Sequence, residues 1–218
     1  MLLQANERLP LARLLQFIEQ GERIAQACAR AQSAFAPDLG TNRFFKEQAR
    51  QEGLHAYTFQ TAISWMAPKH LGSSPFTEPF AHYQRLIESA LRRGDLYETI
   101  LAEQVILEGL GNVTLKKLEI GLLKRHAPFQ RLRRVFLQQE EAHHGFGNRV
   151  LERAMERQDM TEHDLHERAQ VYLRLAESMI LEGQALLVEM TEDPNWYLSE
   201  FHKTLPNWVY HSRICAVA

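Results

Sequence analysis

The chain has 218 residues, with 25 Lys and Arg against 27 Asp and Glu, so its formal net charge is −2. This near balance gives no electrostatic reason to expect nucleic acid or an anionic membrane surface as a partner. With 45% hydrophobic and 24% charged residues, the composition is that of a globular protein, and we expect one domain over residues 1–218. The two cysteines, Cys28 and Cys215, form no CxxC pair, which excludes a disulfide scaffold, a zinc ribbon and a rubredoxin-type iron site.

We expect neither a targeting segment nor a membrane-spanning segment in this sequence. Residues 1–8 lack the basic region and apolar run of a signal peptide, and no stretch is long and apolar enough to span a bilayer. We therefore expect a cytoplasmic protein that does not associate with membranes.

Apolar residues recur at helical spacing along the chain, and the segments between these runs are rich in turn-forming residues. Asp95 is a predicted N-cap, and Thr161 with Asp164 resembles a capping box. Long helices with short connections indicate an all-α, antiparallel four-helix bundle with an additional C-terminal helix and a short helical tail. The predicted helices lie at about 10–35, 42–66, 78–93, 95–125, 128–157 and 162–190.

Three of these helices carry charged residues in the middle of the face that should be buried. Glu22 lies on the apolar face of the first helix, Glu52 and His55 on that of the second, and Glu140 and His143 on that of helix 128–157. An isolated carboxylate is costly to bury, so such groups are normally paired, protonated or bound to a metal.

Two of these choices have rivals nearby. Glu141 and His144 form an overlapping E-x-x-H pair, but they lie further from the centre of the apolar face than Glu140 and His143. Glu19 is a rival to Glu22, but it is turned towards Arg23 and Arg30.

Helix 95–125 is apolar on nearly all sides, so its helical wheel does not choose between Glu103 and Glu108. We favour Glu108, because Gly109 and Gly111 would leave space beside it for oxygen or a substrate, and Glu103 is the second choice. Around this space we expect a cavity lined by residues 109–113, Phe59 and Phe136.

The spacing of these residues predicts a dinuclear metal site. In E-x-x-H, a carboxylate and an imidazole lie one turn apart on one helix face and both reach the same cation. Each motif follows a single Glu, at 52 − 22 = 30 and 140 − 108 = 32 residues, which suits two antiparallel helices joined by a turn. Bundles with two E-x-x-H helices and two single-Glu helices hold carboxylate-bridged metal pairs. The predicted ligands are Glu22, Glu52, His55, Glu108, Glu140 and His143.

One motif resembles that of a known family. Residues 139–147 read QEEAHHGFG, similar to the D-E-x-x-H-x-x-F-G signature of ferritin-like di-iron oxidases. That group includes aldehyde-deformylating oxygenases, ribonucleotide reductase small subunits and related ligand-binding oxidases. The segments GERIA around Glu22 and VILEG around Glu108 resemble the single-glutamate helices of the small oxygenases. The resemblance covers residues 10–157, the expected metal-binding core, and leaves out the C-terminal helix and tail at 160–218.

The chain departs from the family in two places. The family's Asp before the glutamate is Gln139 here, a neutral residue at a position that usually orients a histidine ligand. Ribonucleotide reductase small subunits usually carry a Tyr four residues after the first histidine ligand, where this chain has Phe59, which argues against a stable tyrosyl radical.

From these observations we expect a di-iron oxidase or oxygenase that activates O2 to oxidise a small, largely apolar substrate. Its cofactor would be two iron ions per chain, although the same ligands suit manganese at either position. An electron-donor reductase and a second copy of the chain are compatible partners. The main alternative is an iron-handling protein, a ferroxidase or peroxide scavenger without an organic substrate, and a metal-free helical interaction module ranks third.

Overall fold

A computed structural model describes residues 5–67, 71 and 76–210, and over this part of the chain every regular element is helical. The all-α prediction is confirmed. Cys215 and most of the turn-rich segment after Ala67 lie outside the described residues. The elements are α1 (Ala5–Gln32), α2 (Leu39–Met66), α3 (Thr77–Arg93), α4 (Leu96–Ile100), a π-helical segment (Leu101–Leu107), α5 (Glu108–Lys124), α6 (Gln130–Glu156), α7 (Glu162–Glu182), α8 (Gln184–Glu189), α9 (Pro194–Thr204) and a 3₁₀ turn (Asn207–Val209).

Local capping explains several helix starts. The Asp38 side chain accepts a hydrogen bond from Thr41 N at 2.9 Å, and Asp95 accepts one from Glu98 N at 3.0 Å. The predicted capping box is present: Thr161 and Asp164 each cap the other's backbone N–H.

The bounds of two predicted helices were wrong. The first helix begins at Ala5 and ends at Gln32 rather than spanning 10–35, and Pro10 lies inside it, where its missing N–H leaves one backbone bond unmade. The predicted helix 162–190 breaks at Gly183. A Cβ at Gly183 would lie 2.3 Å from the ring of Phe76, so this glycine lets that ring pack directly on the backbone.

The four long helical stretches form two hairpins. In the first hairpin, α1 runs antiparallel to α2. Gln26 bonds to Ala49 and Arg23 bonds to Gln60, so contacts move forward along α2 as they move back along α1. In the second, α6 runs antiparallel to stretch 96–124, as shown by the ion pairs Arg133–Glu119 and Lys116–Glu141.

The hairpins pack so that each stretch is antiparallel to both of its neighbours. Stretch 96–124 lies along α1, with Arg125 bonded to Glu7 at one end and Gln104 to Gln32 at the other. In turn, α6 lies along α2, where Phe44 stacks on Phe146 and His55 contacts Gln139. It follows that α2 and stretch 96–124 run in the same direction, with α3 as the long connection between them.

Outside these four stretches, α3 and α7 pack against each other, α7 also packs on the π-helical segment, and α9 packs on α5. The π-helical segment is therefore enclosed, and all seven of its residues are buried. Among the described residues, no helix combines the length and the apolar composition needed to cross a bilayer.

Candidate metal centre

All six residues predicted as ligands meet near the middle of the bundle. Their ligand atoms form two groups, each with its atoms within 4.8 Å of one another. All six side chains are buried, with residue exposures of 0 to 6%. Glu52 and Glu140 belong to both groups. The first group is Glu22, Glu52, His55 and Glu140, and the second is Glu52, Glu108, Glu140 and His143.

The two histidines present Nδ1 to the carboxylates. His55 Nδ1 lies 2.9 Å from Glu140 Oε1, 3.1 Å from Glu52 Oε2 and 3.2 Å from Glu22 Oε2. His143 Nδ1 lies 2.7 Å from Glu52 Oε1 and 3.5 Å from Glu108 Oε1. Four carboxylates and two imidazoles thus converge on one small volume.

The other ring nitrogen of each histidine, Nε2, contacts the side-chain amide of a glutamine. The sequence pattern did not predict that these two glutamines act together. His55 Nε2 lies 2.8 Å from Gln139 Oε1, and His143 Nε2 lies 2.8 Å from Gln51 Oε1. An amide oxygen only accepts, so Nε2–H donates in both cases, and a neutral ring then turns an Nδ1 lone pair towards anionic oxygens. Such an arrangement needs a proton or a metal ion between the two partners.

Several buried atoms of the cluster have no polar partner outside it within the described part of the chain. Both oxygens of Glu52, Oε1 of Glu140 and Nδ1 of His143 are buried, and none of them bonds to a described residue outside the six candidate ligands. Buried polar atoms are nearly always satisfied, and buried charges are paired or coordinate metals. Four carboxylates also balance the charge of two divalent cations, so the donor set fits a dinuclear metal centre.

The pKa values of several cluster residues are raised, so these residues hold protons more strongly than they would in water. Burial raises the pKa of Glu22 well above its usual range, and Glu140 adds to the shift. Burial and the nearby Glu108 raise the pKa of Glu140 to about 8. Burial opposes the charged form of His143, but contacts with Glu108 and Glu52 raise its pKa to about 11. Without a metal, protons therefore carry part of the charge compensation.

The π-helical segment brings together Glu103 and Glu108, the two residues between which the helical wheel did not choose. The Glu108 N–H bonds to the Glu103 carbonyl, five residues back, so the wider turn brings both side chains to one face. Gln48 Nε2 donates to both carboxylates at 3.0 Å. Glu108 belongs to the second ligand group, and Glu103, fully buried, lies beside it outside both groups.

The other rival residues have partners elsewhere. Glu19 pairs with Arg23, as expected. Glu141 is exposed and bonds to Lys116 at 2.9 Å. His144 bonds to the carbonyl of Gln104 at 3.1 Å and to that of Thr204 at 3.0 Å, so it joins α6 to the π-helical segment and α9.

The expected cavity is present only in part. A cavity of about 30 Å³ borders Glu22, Glu108 and Glu140, and Gly111 lines it as expected. The space beside Gly109 is filled, since a Cβ there would meet Thr204 Oγ1 at 3.0 Å. Phe59 and Phe136 do not line the cavity, and the Phe136 ring packs 4.1 Å from that of His55.

A larger cavity of about 360 Å³ lies between α1 and α3. Its walls include Ile24, Cys28 and Ile87, and the polar side chains of Arg23 and Glu88 also line it. Phe80 lines both this cavity and the smaller one. The ring of Phe80 thus separates the cavity of about 30 Å³ beside the candidate ligands, here called the inner cavity, from the cavity of about 360 Å³, here called the outer groove.

Comparison of the sequence with models of protein families gives no match, and a search of curated proteins finds none either. The assignment of the site therefore depends on its geometry and on the short motif at residues 139–147.

Proposed function

We propose that this chain is a ferritin-like di-iron protein that activates O2 to oxidise a small, largely apolar substrate. The observation that carries the proposal is the pair of buried E-x-x-H motifs, each joined by a single Glu, with ligand atoms within 4.8 Å. The helix directions support it, because ferritin-like bundles have one long crossover connection, the position that α3 occupies here.

The grouping of the ligands assigns their roles. Glu52 and Glu140 occur in both groups, so we assign them as the bridging carboxylates. Glu22 and His55 would complete the ligands of one metal, and Glu108 and His143 would complete those of the other. A bound iron pair supplies reversible one-electron chemistry and a binding position for oxygen, and manganese suits the same ligands.

The cavities define what the chain contributes around the metals. The inner cavity of about 30 Å³ has room for a molecule the size of water or dioxygen, and Phe17, Ile18 and Leu110 give it apolar walls. The outer groove of about 360 Å³ falls within the size range of small-molecule sites. We assign the organic substrate to this groove, where apolar residues form most of the lining, and Phe80 would have to move to admit it to the metals.

The alternative function is iron handling, in which the metals themselves are the substrate. The small volume of the inner cavity favours it, because ferrous iron and oxygen need no larger space than this. Oxygen consumption coupled to an organic product supports the oxygenase, whereas oxygen consumption with ferric mineral as the only product supports iron handling.

Anaerobic loading with Fe(II), followed by metal analysis and oxygen-reactivity spectroscopy, tests the shared basis of both functions. We expect two iron ions per wild-type chain, with binding lost or halved in Glu108→Ala and His143→Ala. Glu141→Ala is the matched control, because Glu141 is exposed on the same helix as His143. Wild-type protein that binds less than one iron per chain would contradict the proposal.

A further inference from the structure

We infer that Gln51 and Gln139 are crossed positioning residues, which orient the two histidine ligands and, because they are uncharged, favour the reduced state of the metal pair. This inference rests on the proposed dinuclear site. It starts from a repeat in the sequence: each E-x-x-H motif is preceded by Gln, giving Q-E-G-L-H at 51–55 and Q-E-E-A-H at 139–143.

The glutamine of each motif contacts the histidine of the other motif, not the histidine of its own. Gln51 of α2 accepts from His143 of α6, and Gln139 of α6 accepts from His55 of α2, both at 2.8 Å. This reciprocity follows from the antiparallel packing of α2 and α6, which sets the Gln of one motif opposite the His of the other. Both bonds therefore depend on the same interface.

The crossed bonds fix which nitrogen faces the metals. With Nε2–H donated to an amide, the Nδ1 lone pair of each ring is directed to the carboxylate cluster. The ring planes are further held by aromatic neighbours, with Phe136 4.1 Å from His55 and Phe44 6.0 Å from His143, between centroids. The histidines are thus preorganised as Nδ1 ligands.

Gln51 and Gln139 are uncharged, and this affects the balance between the ferrous and ferric states of a bound metal pair. A carboxylate behind an imidazole raises its basicity and stabilises a higher positive charge on the metal, whereas an amide orients the ring without doing so. Four glutamates balance two divalent ions, −4 + 4 = 0, but leave −4 + 6 = +2 with two ferric ions. Two neutral glutamines leave this excess uncompensated and thereby favour the ferrous pair.

The positioning role is tested with Gln139→Leu, which removes the acceptor from His55. We expect about 10- to 100-fold weaker binding of Co(II), measured by chelator competition. In the metal-free protein, NMR of the histidine side chains should show the His55 Nε2–H signal shifted and that of His143 retained. Gln51→Leu should show the converse pattern. Co(II) affinity equal to wild type, or a shift confined to the histidine of the same motif, would overturn the crossed arrangement.

The redox role is tested with Gln139→Glu and Gln51→Glu. Each should keep Co(II) binding and raise the ratio of ferric to ferrous affinity about tenfold, which lowers the one-electron potential by about 59 mV. Gln138→Glu is the matched control, since Gln138 is the exposed neighbour of Gln139. A potential equal to that of the control would overturn this role. Wild-type protein that binds no metal would instead contradict the proposed function, and the NMR experiment would still decide the crossed bonds.

Discussion

Glu52 and Glu140 differ from the other four candidate ligands because each belongs to both ligand groups. Glu52 is fully buried, and its oxygens receive no hydrogen bond from any described residue other than the two histidines, which lie 3.1 Å from Oε2 and 2.7 Å from Oε1. Such a carboxylate is stabilised only by cations, whether these are the two histidines or bound metals. The shared glutamates should therefore matter more for metal binding than the glutamates of a single group.

A comparison of Glu52→Gln and Glu140→Gln with Glu22→Gln tests this difference. The first two variants should lose both metals, since each takes a charged ligand from both groups, whereas Glu22→Gln should keep the metal of the second group. Metal content per chain after Co(II) loading and desalting measures the result, with Glu141→Gln as an exposed control on α6. Equal stoichiometry in Glu22→Gln and Glu140→Gln would contradict the assignment of bridging roles.

Glu103 and Glu108 mark the limit of prediction for single residues. The wheel identified Glu22, Glu52, His55, Glu140 and His143 because each interrupts an otherwise apolar face at regular α-helical spacing. Stretch 96–124 offers no polar face for reference, and its π-helical segment changes the angle between successive residues. A 3.6-residue wheel therefore places Glu103 and Glu108 on different sides, although they lie together in the structure.

Single substitutions of Glu103 and Glu108, compared with each other, distinguish the metal ligand from the residue beside it. Glu108→Gln should lose the metal of the second group, whereas Glu103→Gln should retain both metals, because Glu103 lies outside both ligand groups. Burial raises the pKa of Glu103 well above its usual range, so the neutral amide is close to the form that the site already holds. Metal titration that shows the opposite order would assign Glu103, not Glu108, as the ligand.

At the scale of elements, the π-helical segment requires close contact with α6. A Cβ at Gly147 would lie 2.6 Å from Gln104 Cβ and 3.2 Å from the Gln104 carbonyl carbon. The backbone of α6 at Gly147 is therefore in direct contact with the π-helical segment at Gln104. Gly147 is also the last residue of the QEEAHHGFG motif. Its place in the motif has a packing explanation, since no larger residue fits between these helices without moving one of them.

Gly147→Ala is accordingly expected to reduce the free energy of unfolding by about 1–3 kcal/mol through overpacking. Gly121→Ala is the matched control, because a Cβ at Gly121 meets nothing within 4 Å. That control should raise stability by about 0.4–1 kcal/mol, since alanine has less conformational freedom to lose on folding. Urea unfolding measures both changes, and a Gly147→Ala variant as stable as Gly121→Ala would contradict the close contact.

The order of helices was predictable from sequence, but not how they end and bend. Capping residues such as Asp95 and Thr161 act locally, so their positions could be inferred from the chain alone. At the break, Gly183 leaves room for the ring of Phe76, a residue that is far away in sequence and reaches it only in the folded protein. The filled space at Gly109 likewise depends on Thr204 from α9.

At the scale of the whole molecule, the net charge of −2 conceals a separation of charge. Four of the 27 acidic residues face the candidate metal centre, which leaves 27 − 4 = 23 acidic side chains against 25 basic ones elsewhere in the chain. The bundle therefore encloses negative charge that its surface does not reveal, and its stability should depend on what neutralises that charge.

Stability of the metal-free protein should fall as pH rises. Burial and Glu108 raise the pKa of Glu140 from 4.5 to about 8, so between these values the folded chain holds a proton that the unfolded chain has released. The raised pKa of His143 acts in the same direction, because its contribution is complete below 6.5 and is lost as pH rises through about 11. A bound divalent metal would replace these protons and remove the dependence.

Thermal unfolding with and without Co(II) tests this. The difference in Tm between loaded and metal-free protein should grow from about pH 6 to about pH 8, as the metal-free form loses its protons. Glu140→Gln, which cannot ionise, should show a weaker pH dependence in the metal-free state. A difference in Tm that is constant across this range would contradict the link between the buried carboxyls and stability.

The distribution of ligands over the two hairpins has a consequence for assembly. The α1–α2 hairpin carries three of the four residues of the first group, and the second hairpin carries three of the four residues of the second. Each hairpin lacks a single carboxylate, and the other hairpin supplies it: Glu140 in one direction and Glu52 in the other. When the two hairpins dock, each therefore supplies one glutamate to the ligand group of the other. A bound ion in either group would join residues that are distant in sequence, as a cross-link does.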